Sequence, residues 1–182
     1  MKLRFLAGAA CAVLSVMSAP SLAATSPETP VFSSAPSSQS AIDPRAAQAV
    51  ETFYAARGGS PVWLRAGADS NAARELVGVL QRATLDGLSS GPRFAAQAQA
   101  MLARAQSGNV ADVVAADRFL STALVAYVSA LQTPPAGMTY ADARAMPRRD
   151  SAARILADAA AAPSLANYVR KISDVNPLYA QL

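Results

Sequence analysis

The chain has 182 residues, with 16 basic and 12 acidic side chains, no histidine and a single cysteine. That length suits one domain with appendages, and a net charge of +4 without a basic run interleaved with aromatics argues against nucleic-acid binding. Without histidine, this chain's own residues cannot form a Ser-His-Asp triad, a Cys-His thiolate pair or a histidine-bearing zinc set.

Residues 1–23 read as a signal peptide. Lys2 and Arg4 supply a positive start, Phe5 to Val16 an apolar stretch too short to span a bilayer comfortably, and Ser21-Leu22-Ala23 a small-x-small cleavage site. The cut is expected after Ala23, with Ala24 as the alternative. A lipid-attachment reading at Cys11 is disfavoured, because Gly8-Ala9-Ala10-Cys11 lacks a large apolar residue three positions before the cysteine. Loss of Lys2 and Arg4 takes 16 basic residues to 14 against 12 acidic ones, a net +2. Cys11 leaves with them, so no disulfide is possible and the exported domain must be held by packing alone. No membrane association is expected after cleavage. Residues 24–42, dominated by Thr, Ser and Pro, read as a disordered linker whose composition cannot bury enough surface to offset ordering entropy. Phe32 is the one residue in it suited to docking.

From Asp43 the pattern becomes helical. Asp43 is an expected N-cap with Pro44 at the first helical position, and Ala46, Val50, Phe53, Tyr54 and Arg57 follow at helical spacing until Gly58-Gly59. Ser60-Pro61-Val62-Trp63-Leu64 must then run extended, because a residue before proline avoids the α region. Trp63, the only tryptophan, is expected to plug the core between the first two helices. Ser70 or Asn71 caps a second helix carrying Ala73, Leu76, Val77, Leu80, Ala83 and Thr84, with Gly87 as its expected end. Ser90-Gly91-Pro92 opens a third, striped by Phe94, Ala98, Met101, Leu102 and Ala105 and stopped by Gly108. Asn109 or Val110 opens the longest helix, to about Gln132, with Val110, Val113, Val114, Leu120, Leu124, Tyr127, Val128 and Leu131 in its stripe.

One position of that stripe is polar. Asp117 stands where the pattern asks for an apolar residue. A buried carboxylate left alone is too costly to keep, so a donor is expected from Arg57, Arg65, Arg82 or Arg93, or from backbone N–H groups near the glycine-rich break. After Thr133-Pro134-Pro135, residues 133–149 are irregular. Asp150 or Ser151 caps a fifth helix through Ile155, Leu156 and Ala159, and Pro163 is the expected start of a sixth with Leu165, Tyr168, Val169 and Ile172 inward. Asn176-Pro177 is a further helix start, with Leu178, Tyr179 and Leu182 beginning an apolar stripe. A helix start so close to the last residue is expected of a domain cut from something longer. The class is all-α: an irregular bundle of about six helices with a short extended segment around Trp63.

No constellation of catalytic residues emerges. After signal removal, Lys171 is the sole lysine and no Ser-x-x-Lys precedes it; Asp112, Asp117, Asp142, Asp150, Asp158 and Asp174 are each accounted for as caps, surface charges or ion-pair partners. No catalytic, cofactor-binding or metal residue is therefore assigned. The expected structural core is Phe53, Tyr54, Trp63, Leu76, Leu80, Asp117, Leu120, Leu124 and Tyr127. Leu178, Tyr179 and Leu182 are the expected interaction residues.

Taken together, several pieces resemble one family. Phe53-Tyr54-x-x-Arg57, Pro61-Val62-Trp63-Leu64, Ala73-Arg74-Glu75-Leu76 and Asp86-Gly87-Leu88 are followed in order by Asp117-x-x-Leu120-Ser121-x-Ala123-Leu124-x-x-Tyr127 and Asn176-Pro177-x-Tyr179-x-x-Leu182. This series is similar to the helical scaffold domain of large Gram-negative L,D-transpeptidases, across about residues 45–182. The resemblance implies a domain 43–182 that accompanies a peptidoglycan-binding module and a Cys-dependent catalytic domain, neither of which is represented here. It implies a periplasmic, non-catalytic part of a split or truncated enzyme linked to peptidoglycan cross-linking. Its partners would be the missing transpeptidase domains or other cell-wall proteins. A generic periplasmic helical protein-binding module is the alternative.

Overall fold

The computed structural model describes residues 43–68, 70–134, 137–138, 141–142, 144 and 148–174. The signal-peptide and linker assignments lie outside them, as do Leu178, Tyr179 and Leu182. The described residues form six helices and no strand: α1 (Pro44–Ala56), α2 (Asn71–Arg82), α3 (Gly91–Ala105), α4 (Val110–Leu131), α5 (Ala152–Ala161) and α6 (Leu165–Ser173). The all-α architecture is the one the periodicity predicts.

Local chemistry sets most boundaries. Asp43, Ser70, Asn109, Ser151 and Ser164 each accept a backbone N–H of the first turn that follows, satisfying donors a helix start leaves free. α1 ends in a paired closure: Gly59 N–H reaches Tyr54 O at 2.9 Å and Gly58 N–H reaches Ala55 O at 3.1 Å. The left-handed φ of +61° at Gly58 makes this possible without a Cβ penalty.

Two boundaries differ from expectation. α2 stops at Arg82 rather than at Gly87, because bonding over three residues replaces the helical pattern: Leu85 N–H donates to Arg82 O and Asp86 N–H to Ala83 O. Gly87 therefore closes a turn, in which Leu88 N–H returns to Ala83 O at 2.8 Å. α6 begins at Leu165 rather than Pro163, since Ser164 is extended and serves as the cap.

α2, α3 and α4 pack in sequence, α1 lies against α4 and α5, and α6 lies against α2. α4 is buried along most of its length and, among the described residues, is the one helix long and apolar enough to cross a membrane. Its burial within the protein accounts for that composition. Val110 departs from the expected stripe: as the first residue of α4 it is 75% exposed. Phe94 and Phe119 meet edge to face at 6.1 Å between α3 and α4.

Two glycines make opposite predictions. A Cβ on Gly91 would meet Leu80 O at 2.6 Å and Ala83 Cβ at 2.7 Å, both fixed by helix packing. That overlap costs about 1–3 kcal/mol, which outweighs the at most about 1 kcal/mol of helix propensity that alanine adds. Gly91→Ala should thus lower the urea midpoint. Gly78 sits inside α2 with nothing within 4 Å of its Cβ position, so Gly78→Ala should raise stability by about 0.5–1 kcal/mol. Urea titration of both variants checks the pair.

Candidate functional site

The most constrained polar group in the fold is the Asp117 carboxyl, 1% exposed on α4. The segment after α1 does not run extended as expected around Trp63: it bends at Val62 and Trp63 as it enters the core, which turns successive N–H groups to one side where they have neither a ladder nor water to bond. Asp117 supplies the acceptors. Its Oδ1 accepts from Trp63 N–H at 2.8 Å and Leu64 N–H at 2.9 Å, and its Oδ2 accepts from Val62 N–H at 2.9 Å and from the Tyr54 hydroxyl at 2.5 Å. No arginine is needed: Arg65 donates to Ala160 O and Arg82 to Ser173 Oγ instead.

Proton counting fixes the direction of the remaining bonds. Tyr54 has one hydroxyl hydrogen, and it is committed to Asp117. Ser121, whose Oγ lies 2.8 Å from the Tyr54 oxygen, must therefore donate to it. Ser121 in turn accepts the indole N–H of Trp63 at 2.9 Å. The result is a one-way relay from Trp63 through Ser121 and Tyr54 to Asp117, in which each bond polarises the next. Burial, and next the Asp117 charge, pushes the Tyr54 hydroxyl well above the ordinary tyrosine range. On one side Arg118 stands 5.9 Å from the centre of the Tyr54 ring and pairs with Glu51 at 2.9 Å across α4 and α1.

A second pin joins α4 to the turn between α2 and α3, where the Tyr127 hydroxyl donates to Asp86 at 2.9 Å. Burial, then this bond, raises the Tyr127 hydroxyl above its ordinary range, and burial does the same for Tyr168.

Of the core residues expected from sequence, Tyr54, Trp63, Leu76, Leu80, Asp117, Leu120, Leu124 and Tyr127 lie inside the structure. Trp63 is tied through its ring nitrogen to α4 rather than lodged only between α1 and α2. Phe53 is half-buried instead of buried: it sits beside Tyr54 edge to face at 5.4 Å, with Arg57 stacked 5.4 Å from its ring centre. Its outer face lines an open groove of about 470 Å³ between α1 and α5, together with Arg45, Gln48, Ala49, Thr52, Ala56 and Ala153. Ser121 stands in the family-like series of the sequence without an assigned role, since a serine on a helix stripe carries no such signal until its neighbours are known. Among the described residues, no three His, Cys, Asp or Glu side chains cluster as a metal site would require.

What these features define is an all-helical domain whose polar core is spent on holding the chain in place. The chain belongs to the Scaffold domain family, whose model matches residues 48–182. No curated protein and no solved structure matches it.

Two predictions follow from the cluster. Asp117→Ala strands three backbone donors in the core, leaving the Tyr54 hydroxyl to Ser121 and the residue 117 carbonyl, and should cost on the order of 4 kcal/mol. Asp117→Asn retains the shape but turns an NH₂ group toward existing donors, costing about 1–3 kcal/mol. Chemical denaturation of the two variants tests the order. The tyrosines set an alkaline limit as well. Their folded pKa values are raised, so the unfolded state loses protons first; stability is fully present below about pH 10 and falls as pH rises above it. A denaturant midpoint that stays level to about pH 9 and then declines is expected, with a shallower decline in Tyr54→Phe.

Proposed function

We propose that the chain is a non-catalytic scaffold of the L,D-transpeptidase kind, exported to the periplasm and acting in peptidoglycan cross-linking through contacts rather than chemistry. One observation carries this reading. Four of the six sequence pieces that resemble the transpeptidase scaffold converge on two sets of bonds. Tyr54, Val62-Trp63-Leu64, Asp117 and Ser121 meet in one network, and Asp86 meets Tyr127 in the second pin. Residues far apart in the chain are thus spaced for one fold, which favours a family resemblance over a coincidence of composition.

The chemistry of the chain agrees. Acyl transfer by a thiolate needs a cysteine activated by a base, usually histidine. The chain has no histidine, and its one cysteine lies within the proposed signal peptide. The reacting groups would come from another polypeptide or another part of the same protein. The proposed partners are those transpeptidase domains or other cell-wall proteins.

The test combines address, activity and neighbours. Protein recovered from a Gram-negative periplasm should begin at Ala24 or Thr25 by mass spectrometry and gain no mass on incubation with a carbapenem. Photo-cross-linking from Leu85, Val110 and Met138, the large apolar side chains most exposed among the described residues, should recover polypeptides bearing a Cys-His transpeptidase module or other cell-wall enzymes. Retention of Cys11, covalent drug addition, or neighbours with no cell-wall role would each overturn the corresponding part.

A further inference from the structure

The groove beside α1 is apolar along its floor and carries charge of one sign at its edge. Ala49, Phe53, Ala56 and Ala153 form the floor, and among the described residues that line it the only ionisable side chain is Arg45. The lining runs from Arg45 to Ala56, roughly 16 Å along the axis of α1. A space of about 470 Å³ drawn out over that length takes one row of side chains, not a whole helix. Small residues on both walls let the backbone carrying such a row come close, and the half-buried Phe53 ring gives it an aromatic surface to cover.

The charges around the groove decide what can fill it. Arg57, at the opposite end of α1 from Arg45, lies stacked 5.4 Å from the centre of the Phe53 ring. Glu51, the one acidic residue within α1, is turned away to α4, where it pairs with Arg118 at 2.9 Å. Asp158 on α5 is held by Arg154 at 3.2 Å. Asp43 accepts the Arg45 N–H as the cap of α1, where its charge is set against the positive end of the helix dipole. The guanidiniums of Arg45 and Arg57 therefore bracket the apolar row. A second copy of the chain is a poor occupant, because a two-fold pairing of α1 faces sets Arg45 against Arg57 when antiparallel and against itself when parallel. Basic side chains meet in either case.

We propose that the groove between α1 and α5 docks an acidic amphipathic helix of a partner protein, whose apolar row covers Phe53 and the alanines and whose flanking carboxylates reach Arg45 and Arg57. Recognition of a helix in a groove is anchored by residues at i, i+3, i+4 and i+7, the same spacing with which α1 lines the space. Carboxylate–guanidinium pairs at the two ends are charge-assisted hydrogen bonds and select the sign of the partner. The inference concerns the chemistry of the occupant and does not depend on the cell-wall reading.

Two labelled synthetic peptides of about 15 residues test this, each long enough to form a helix with one leucine row. One has glutamates flanking the row and the other has lysines. Fluorescence anisotropy with the full chain should show the glutamate peptide bound at least about tenfold more tightly at low salt. That gap should close near 1 M salt, where screening acts within about 3 Å. Ala153→Trp fills the groove from an exposed position on α5 and should abolish binding while helical circular dichroism is unchanged. Arg45→Glu combined with Arg57→Glu should reverse the preference between the peptides. Equal affinity for the two peptides, no binding of either, or binding that survives Ala153→Trp would overturn the proposal. Self-association in sedimentation that Ala153→Trp abolishes would overturn it in favour of a second copy.

Discussion

A chain that turns from a helix into the interior without forming a sheet leaves its backbone donors in a place where water cannot reach them. Orphaned N–H groups in a core cost as much as lost hydrogen bonds. Here the cost is offset by one side chain. Asp117 takes three consecutive N–H groups, from Val62 to Leu64, onto its two oxygens and completes its shell with the Tyr54 hydroxyl. The aspartate needs the segment as much as the segment needs the aspartate, because a carboxyl buried without donors would be expelled or would unfold its surroundings. The two together fix how α1, the α1–α2 connection and α4 meet.

The remaining packing follows from that junction. With Trp63 anchored through Ser121, the apolar faces of α2 and α4 close over Leu76, Leu80, Leu120 and Leu124. The Tyr127–Asp86 bond then sets the turn from which α3 departs. α1 spends Val50 and Tyr54 on this core and leaves its other flank, from Arg45 to Ala56, beside α5 as an open groove. The buried polar bonds thus run along α4, while α1 carries the apolar floor of the groove.

Much of this was legible in the sequence because the relevant signals are local. Caps, terminating glycines and apolar periodicity located all six helices, and Asp117 stood out as a polar residue in an apolar stripe. What could not be read was the identity of its donors: four arginines and a glycine-rich break were equally eligible until the backbone of residues 62–64 was seen to face it. The role of Ser121, a residue present in the family-like series, could not be read for the same reason, since that role exists only through Tyr54 and Trp63. Phe53 misled because an aromatic at helical spacing reads as core, although it sits at the margin of the buried face, shared between Tyr54 and solvent. Gly87 and Pro163 misled because each closes or precedes a turn with its own hydrogen bonds, which a helix pattern does not distinguish from a helix end.

A single carboxyl holding three backbone amides makes a specific demand on dynamics. If Asp117 is the junction on which the fold depends, the amides of Val62, Trp63 and Leu64 can be released only when the whole domain unfolds. Native-state hydrogen exchange measures this directly, residue by residue, in low denaturant. The opening free energies of these three amides should equal those of Leu120 and Leu124 in the middle of α4 and merge with the global unfolding free energy. Exchange through a separate, cheaper opening, with α4 still protected, would show that the segment is a replaceable loop laid over an independently stable bundle.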